Sequence, residues 1–254
     1  QGAAAAFVLA LILNLGAYWF SDKIVLAMYR AKPLSEAEAP QVFRVVREIA
    51  ARTGMPMPKL YGIPTKAPNA FATGRSPKYA AVAVTAGLLE IMREEELKGV
   101  LAHELSHVKN RDTLVMTIAA ALAGAIMYLR NWLFWFGGGA RDNNRQAAGM
   151  RAIVFIVLLV IVPLAVMIIQ LAISRTREYG ADETGARLAG TPYGLADALE
   201  KLHQAARAHP LPNANPATAH LFIVNPLSAG TIASWFSTHP PIAERVRRLR
   251  AMHL

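Results

Sequence analysis

Two histidines and a glutamate stand close together in the string His103-Glu104-Leu105-Ser106-His107. On a helix, positions i and i+4 lie on one face, so both imidazoles can reach a single metal ion. Glu104 lies at the edge of the same face, where it can take a proton from a water molecule activated by the metal. The spacing therefore predicts a metal-dependent hydrolase with His103 and His107 as ligands and Glu104 as general base.

The third metal ligand has to come from another part of the chain. Asn110 and Thr113 occupy the positions at which a metzincin carries glycine and histidine after this string, which excludes that class. The segment Glu178–Asp182 offers two carboxylates one helical turn apart. We predict that Glu178 binds the metal and that Asp182 accepts the other ring N–H of a ligand histidine. The alternative is a solvated acidic pair at a helix end.

The amino-acid composition restricts the metal. The chain contains no cysteine, which excludes a thiolate nucleophile and leaves histidine and carboxylate as ligands. Two histidines, one carboxylate and one open position are typical of catalytic zinc, so one Zn²⁺ per chain is the predicted cofactor.

Hydrolysis of a peptide also requires a donor to the oxyanion. The candidates are His239, between Ser237 and two prolines, and Arg245 in the segment that follows. The alternative for His239 is a turn residue held by those prolines.

Peptide substrates commonly add a strand to an exposed sheet edge. The alternating segment Tyr79–Thr85 is the predicted edge strand, with Ala81, Val82 and Ala83 as the residues that contact substrate. Asn69 is a further candidate for substrate binding, with a purely structural turn as the alternative.

Hydrophobic residues make up 54% of the chain and charged residues 17%, and the excess is concentrated in three apolar runs. Each run approaches the ~20 residues that a helix needs to cross a bilayer. Lys and Arg are enriched on one side of the runs, which places that side in the cytoplasm. The predicted order begins with a span at 2–20, the first part of the catalytic domain at 21–112 and a span at 113–136. An external loop at 137–151, a span at 152–173 and the second part of the catalytic domain at 174–254 follow.

This order brings the proposed ligands together. His107 precedes the second span and Glu178 follows the third, so a helical hairpin through the membrane returns Glu178 to the side that carries His107. We therefore expect the metal site to lie close to the membrane surface.

The remaining elements are mostly helical. Apolar spacing and a helix-start signature predict a helix over Ser35–Thr53, and Leu195–Ala208 and Pro241–Leu254 also read as helices. Proline-rich stretches at Met55–Pro68 and His209–Pro216 predict loops, the first with short extended pieces. The predicted fold is mostly α with a small β-sheet, an α+β catalytic domain joined to transmembrane helices.

The net charge of +10 comes from scattered Lys and Arg and fits contact with anionic lipid. No basic stripe with interleaved aromatics is visible, so nucleic acid is not a predicted partner.

Four strings in a fixed order resemble the HtpX family of bacterial heat-shock membrane zinc metalloproteases. They are Pro68–Gly74, His103–His107 followed by Asn110-Arg111-Asp112, Arg177–Asp182 and Ser237–Pro241. The resemblance implies a gluzincin domain that faces the cytoplasm of a bacterial inner membrane. It also implies a further hydrophobic segment before Gly2, and a role in clearing damaged or misfolded membrane proteins under stress. The CAAX prenyl protease is a more distant relative.

Membrane-protein or unfolded polypeptides are thus the predicted substrates, and the sequence leaves the oligomeric state open. Three other functions compete. A narrow processing protease of the CAAX type is disfavoured because three spans leave little room for an enclosed chamber. A transporter or scaffold predicts ionisable residues within the spans, and the first and third runs hold almost none. A zinc-binding protein without turnover would have no use for Glu104.

Overall fold

A computed structural model describes residues 8, 12, 15, 16, 18–136, 154, 156–208, 223 and 239–254. The loops expected at 137–151 and 209–216 and most of the first run lie outside these residues. The helices are α1 (Ser21–Met28), α2 (Pro40–Thr53), α3 (Ala86–Ile91), α4 (Glu94–Lys109), α5 (Asp112–Phe136), α6 (Val162–Ala189), α7 (Tyr193–Ala208) and α8 (Ile242–Arg250). The strands are β1 (Lys32–Pro33), β2 (Lys59–Ile63), β3 (Ala70–Thr73) and β4 (Ala81–Thr85).

The four strands form one mixed sheet in the order β1-β2-β4-β3. β4 runs parallel to β2 and antiparallel to β3. Successive side chains of β4 point to opposite faces, and both faces are covered. Val82 and Val84 pack into the main core with α4, whereas Ala81 and Ala83 pack with Leu26 of α1.

Helix α4 lies at the centre of the domain and packs against α2, α6 and α7. It begins with three glutamates, which favour the positive end of the helix dipole. The third, Glu96, turns back to accept the backbone N–H of Arg93 at 2.7 Å and also pairs with Lys201 of α7 at 2.6 Å. These contacts fix the start of the helix that carries His103 and His107.

Among the residues that the structure describes, two helices are long and apolar enough to cross a membrane, judged by length and composition. One covers Asp112–Arg130, and the other covers Val157–Ala189, or 33 residues, including a π-helical turn at Val157–Ile161 just before Pro163. Proline has no N–H to bond the preceding turn, which gives a physical reason for this local rewinding. At 1.5 Å per residue the second helix is about 50 Å long, so it exceeds a hydrocarbon core of about 30 Å and continues into the catalytic domain.

The sheet and its flanking helices make the described fold mostly α with a small β-sheet, as predicted. Two local predictions were wrong. The helix expected from Ser35 begins at Pro40, because Glu38 turns back onto the N–H and hydroxyl of Ser35 at 2.8 and 2.6 Å and closes a turn instead. The segment containing Ala81, Val82 and Ala83 is a strand but not an edge, because β4 is paired on both sides; β3 occupies that edge of the sheet.

Candidate metal centre

The side chains of His103, His107 and Glu178 converge where α4 and α6 cross. Nε2 of His103 lies 3.2 Å from Nε2 of His107. The Glu178 carboxylate approaches the two nitrogens at 3.7 Å and 3.5 Å respectively. Atoms bound at ~2.0–2.1 Å to one tetrahedral zinc ion stand about 3.3 Å from each other. The three side chains therefore already have the spacing of a ligand set.

A close crossing of the two helices makes this convergence possible. Gly185 of α6 faces the backbone of His103, and a Cβ at this position would lie 2.9 Å from both N and Cα of His103. Only a residue without a side chain fits there, and Glu178 lies two helical turns before it on the same helix.

A carboxylate lies beside Nδ1 of each imidazole, at hydrogen-bond geometry for His107 and at ion-pair distance for His103. Nδ1 of His103 lies 3.0 Å from Oδ1 of Asp182, and Nδ1 of His107 lies 2.7 Å from Oδ2 of Asp112. A proton on each Nδ1 leaves both Nε2 lone pairs directed toward the common point. The expected pairing of Asp182 with a ligand histidine thus agrees with the geometry, whereas the contribution of Asp112 was missed.

The electrostatics of the pocket favour a cation. Burial lowers the pKa of His107, but the hydrogen bond to Asp112 and the charges of Glu178 and Glu104 outweigh it and raise the pKa to about 9. Oε2 of Glu178 is buried, and Nδ1 of His239 and Nη1 of Arg245 lie 3.0 and 3.4 Å from it without a hydrogen bond of good geometry among the described residues. A buried carboxylate needs such cationic neighbours or a metal ion. The donor set, its spacing and this oxygen all fit a divalent metal.

Glu104 lies beside the ligands and contacts the sheet edge. Its Oε2 accepts the backbone N–H of Ala72, in β3, at 2.9 Å. Burial raises the pKa of Glu104 above its usual value, although the neighbouring His103 and His107 act in the opposite direction. A carboxylate with a raised pKa beside an activated water is suited to proton transfer.

Arg245 is buried beside two carboxylates of the site. Its side chain is 0% exposed, and its Nε and Nη2 donate to the two oxygens of Asp182 at 2.9 and 2.7 Å. Nη1 lies 3.4 Å from Oε2 of Glu178. The carboxylates outweigh burial and hold the pKa of Arg245 above its usual value. These contacts show that the guanidinium orients Asp182 and Glu178, and its contact with a substrate oxyanion stays a prediction.

His239 does reach the site, with Nδ1 at 3.0 Å from Oε2 of Glu178. Asn69 does not face open solvent: it is buried, and its side-chain oxygen accepts the backbone N–H of Ile223 at 3.3 Å. The structural alternative for Asn69 is thus the one that the contacts favour.

Comparisons with known proteins agree with this geometry. A sequence profile described as Peptidase family M48 matches residues 36–253. The chain is 58% identical over 255 residues to a protein named Protease HtpX homolog from Syntrophobacter fumaroxidans, covering 99% of this chain and 90% of that one. It is 55% identical over 249 residues to a protein of the same name from Thermococcus sibiricus, covering 96% and 85%.

One solved structure is similar in fold. The crystal structure of S. mikatae Ste24p superposes with a TM-score of 0.65 at 22% sequence identity. The match covers 98% of this chain and 58% of the Ste24p chain. At this identity the likeness concerns the fold alone.

Proposed function

The chain belongs to peptidase family M48 and is a metalloprotease, and we propose that it is a membrane-embedded zinc endopeptidase that cleaves damaged or misfolded membrane proteins. In this proposal the catalytic domain faces the cytoplasm at a bacterial inner membrane, as part of a stress response. The convergence of His103, His107 and Glu178 at 3.2–3.7 Å carries the proposal. A solvated acidic pair at a helix end would not be expected to place Glu178 within 3.7 Å of two imidazole nitrogens.

Different side chains have different roles in hydrolysis. His103, His107 and Glu178 would hold the ion, which when bound supplies Lewis acidity to a substrate carbonyl and acidifies a water molecule. Oε2 of Glu104 accepts a hydrogen bond from the backbone N–H of Ala72, which leaves Oε1 free to act as the base. Oε1 takes the proton of the attacking water and later delivers it to the leaving amine. His239 is the proposed oxyanion donor, through the ring nitrogen that does not face Glu178.

The outer edge of β3 is the proposed substrate platform. Asn69 O accepts the N–H of Thr85, and Phe71 lies opposite Ala83 in the same register. Hydrogen-bonded and non-hydrogen-bonded residue pairs alternate along an antiparallel ladder. Ala72 belongs to a non-hydrogen-bonded pair, so its backbone N–H and C=O point away from β4. The bond from Ala72 to Glu104 points the same way. A substrate strand added along β3 would therefore pass directly beside the general base.

The length of the helix from Val157 to Ala189 supports the membrane location. None of the residues in its apolar window is buried, and the helix continues to Glu178 and Asp182. One continuous helix thus joins the proposed bilayer segment to the metal site without a flexible connection.

Replacing Glu104 by Gln tests the function. Glu104→Gln keeps the shape of the side chain and its contact with Ala72 but removes the base, so we expect zinc content to be retained and cleavage of casein to be lost. Glu183→Gln, on an exposed glutamate of α6, is the matched control and should cleave normally. Undiminished cleavage by the Glu104 variant would overturn the proposed chemistry.

A further inference from the structure

Helix α1 presents an uncovered apolar stripe. Phe20, Ile24 and Met28 follow one another at intervals of four and are 50%, 47% and 49% exposed. The opposite face of the helix is covered, because Leu26 is buried against the sheet beside Phe71 and Ala83. Helix α1 is thus held on the catalytic domain by its buried face, and the apolar stripe lies on its exposed face.

A stack of aromatic rings and a guanidinium joins this helix to the chain after β3. The guanidinium carbon of Arg75 lies 4.7 Å from the ring centre of Trp19 and 3.5 Å from that of Tyr79. Arg75 also donates to the carbonyl of Trp19 at 3.3 Å, and the hydroxyl of Tyr18 donates to the carbonyl of Arg75 at 2.9 Å. Yet Trp19 remains 56% exposed and Tyr79 44% exposed.

Positive charge surrounds the stack. Lys23 lies 5.7 Å from the ring centre of Phe20, and Lys78 lies 5.8 Å from that of Tyr79. Within the part of the chain that the structure describes, neither lysine nor Arg75 is paired with a carboxylate. Asp22 is the one acidic residue in the sequence of 18–30 and 74–80. The aromatic-basic surface consists of Trp19, Phe20, Lys23, Ile24, Met28, Arg75, Lys78 and Tyr79.

We propose that the aromatic-basic surface binds the anionic phospholipid headgroups of the leaflet next to the catalytic domain. Exposed aromatics suit the boundary between headgroups and acyl chains, and unpaired cations attract anionic lipid. A protein partner covering the stripe would need carboxylates to match the same cations, whereas an anionic bilayer supplies the apolar and the charged contacts together. The inference rests on the proposed membrane location.

Lipid binding here would also position the site. Arg75 follows β3 after one residue, Gly74, and β3 carries the Ala72 N–H that reaches Glu104. Headgroups bound at Arg75 and Lys78 would therefore hold the open edge of β3 beside the bilayer, where a substrate strand leaves the membrane.

Bromine quenching of Trp19 tests the proposal. Trp132, Trp135 and Trp235 are replaced by Phe in the full chain, which leaves Trp19 as the single fluorophore. The protein is placed in bilayer discs of equal phosphatidylcholine and phosphatidylglycerol, with bromine on the acyl chains of one lipid or of the other. Each cation near the headgroups enriches anionic lipid about fivefold, so bromine on phosphatidylglycerol should quench Trp19 several-fold more.

Lys78→Gln should reduce the excess of quenching by brominated phosphatidylglycerol over brominated phosphatidylcholine, while overall quenching of Trp19 persists. Arg44→Gln removes one exposed charge from α2 and should leave that excess unchanged. Equal quenching by the two lipids would overturn headgroup binding but leave the protease proposal intact. Absence of quenching by either lipid would show that Trp19 does not contact the bilayer, and would overturn the lipid proposal even if casein cleavage were normal.

Discussion

Nδ1 of His107 lies 2.7 Å from Oδ2 of Asp112, the first residue of α5. The other oxygen of Asp112 lies 3.4 Å from Nη1 of Arg177, which precedes Glu178 on α6. One carboxylate thus connects a candidate metal ligand to α5 and α6, the two described helices that are apolar enough to cross a membrane. The orientation of the metal ligand is thereby tied to the position of the helical hairpin.

Asp112→Asn should weaken metal binding while preserving the fold. The amide keeps the volume of the side chain but no longer offers a charged acceptor to the His107 N–H, so zinc affinity is expected to fall about 10–100-fold. Competition titration with a chelating dye measures this loss. Asp197→Asn, at an exposed carboxylate paired with arginines, is the control and should bind zinc normally. Equal affinities for the two variants would contradict a role for Asp112.

Metal affinity should depend on pH with a defined sign. The pKa of His107 is raised to about 9 by its carboxylate neighbours, so at neutral pH without metal the ring carries a proton on both nitrogens and is positively charged. Zinc requires the neutral ring and must displace that proton. Affinity should therefore rise about tenfold per pH unit up to about pH 9 and then level off.

Titrations across this range measure the slope, and Asp112→Asn should flatten it by removing a cause of the raised pKa. An affinity independent of pH between neutral and pH 9 would contradict a metal ligand whose pKa is raised to about 9.

Gly185→Ala should separate α6 from α4. The added methyl group would meet the His103 backbone at 2.9 Å, so the helices must move apart and Glu178 must leave its ligand position. We expect a loss of cleavage and a destabilisation of about 1–3 kcal/mol. Gly180→Ala on the same helix is the matched control, because its Cβ meets nothing within 4 Å. Thermal unfolding and casein cleavage should distinguish the two variants, and identical behaviour would refute the close crossing.

Arg245→Met should leave Asp182 as a buried carboxylate without its guanidinium partner. Removing one partner of a buried ion pair typically costs about 3–5 kcal/mol, so the thermal midpoint should fall markedly. Arg248→Met, one helical turn away and largely exposed, should change stability far less. If both variants unfolded at the same temperature, the bidentate contact with Asp182 would not be a major source of stability.

Local spacing explains which parts of the site could be predicted. His103 and His107 belong to one helix, so their shared face follows from i, i+4 geometry alone. Glu178 could be predicted because a helical hairpin fixes where its second helix returns. Asp112 was missed because α4 ends before it: Arg111 adopts a left-handed backbone with φ of 56°, and this turn brings Asp112 back beside His107.

The order of strands is a non-local property, and sequence alternation does not encode it. Tyr79–Thr85 reads as a strand from its residues, but its central position depends on pairing with β2 and β3. The role of Arg245 likewise depends on a contact across 63 positions of the chain, between α8 and Asp182 of α6. Such contacts form only in the packed fold, so the residue types and spacing of one segment do not predict them.

Anomalous diffraction at the zinc edge, from crystals of the full chain, would locate the zinc ion that we propose is held by His103, His107 and Glu178. We expect a single strong peak about 2.0–2.2 Å from Nε2 of each histidine and from the Glu178 carboxylate. A peak bound to other residues, or a zinc-loaded crystal with no peak at this crossing of α4 and α6, would show that these three residues are not the zinc ligands.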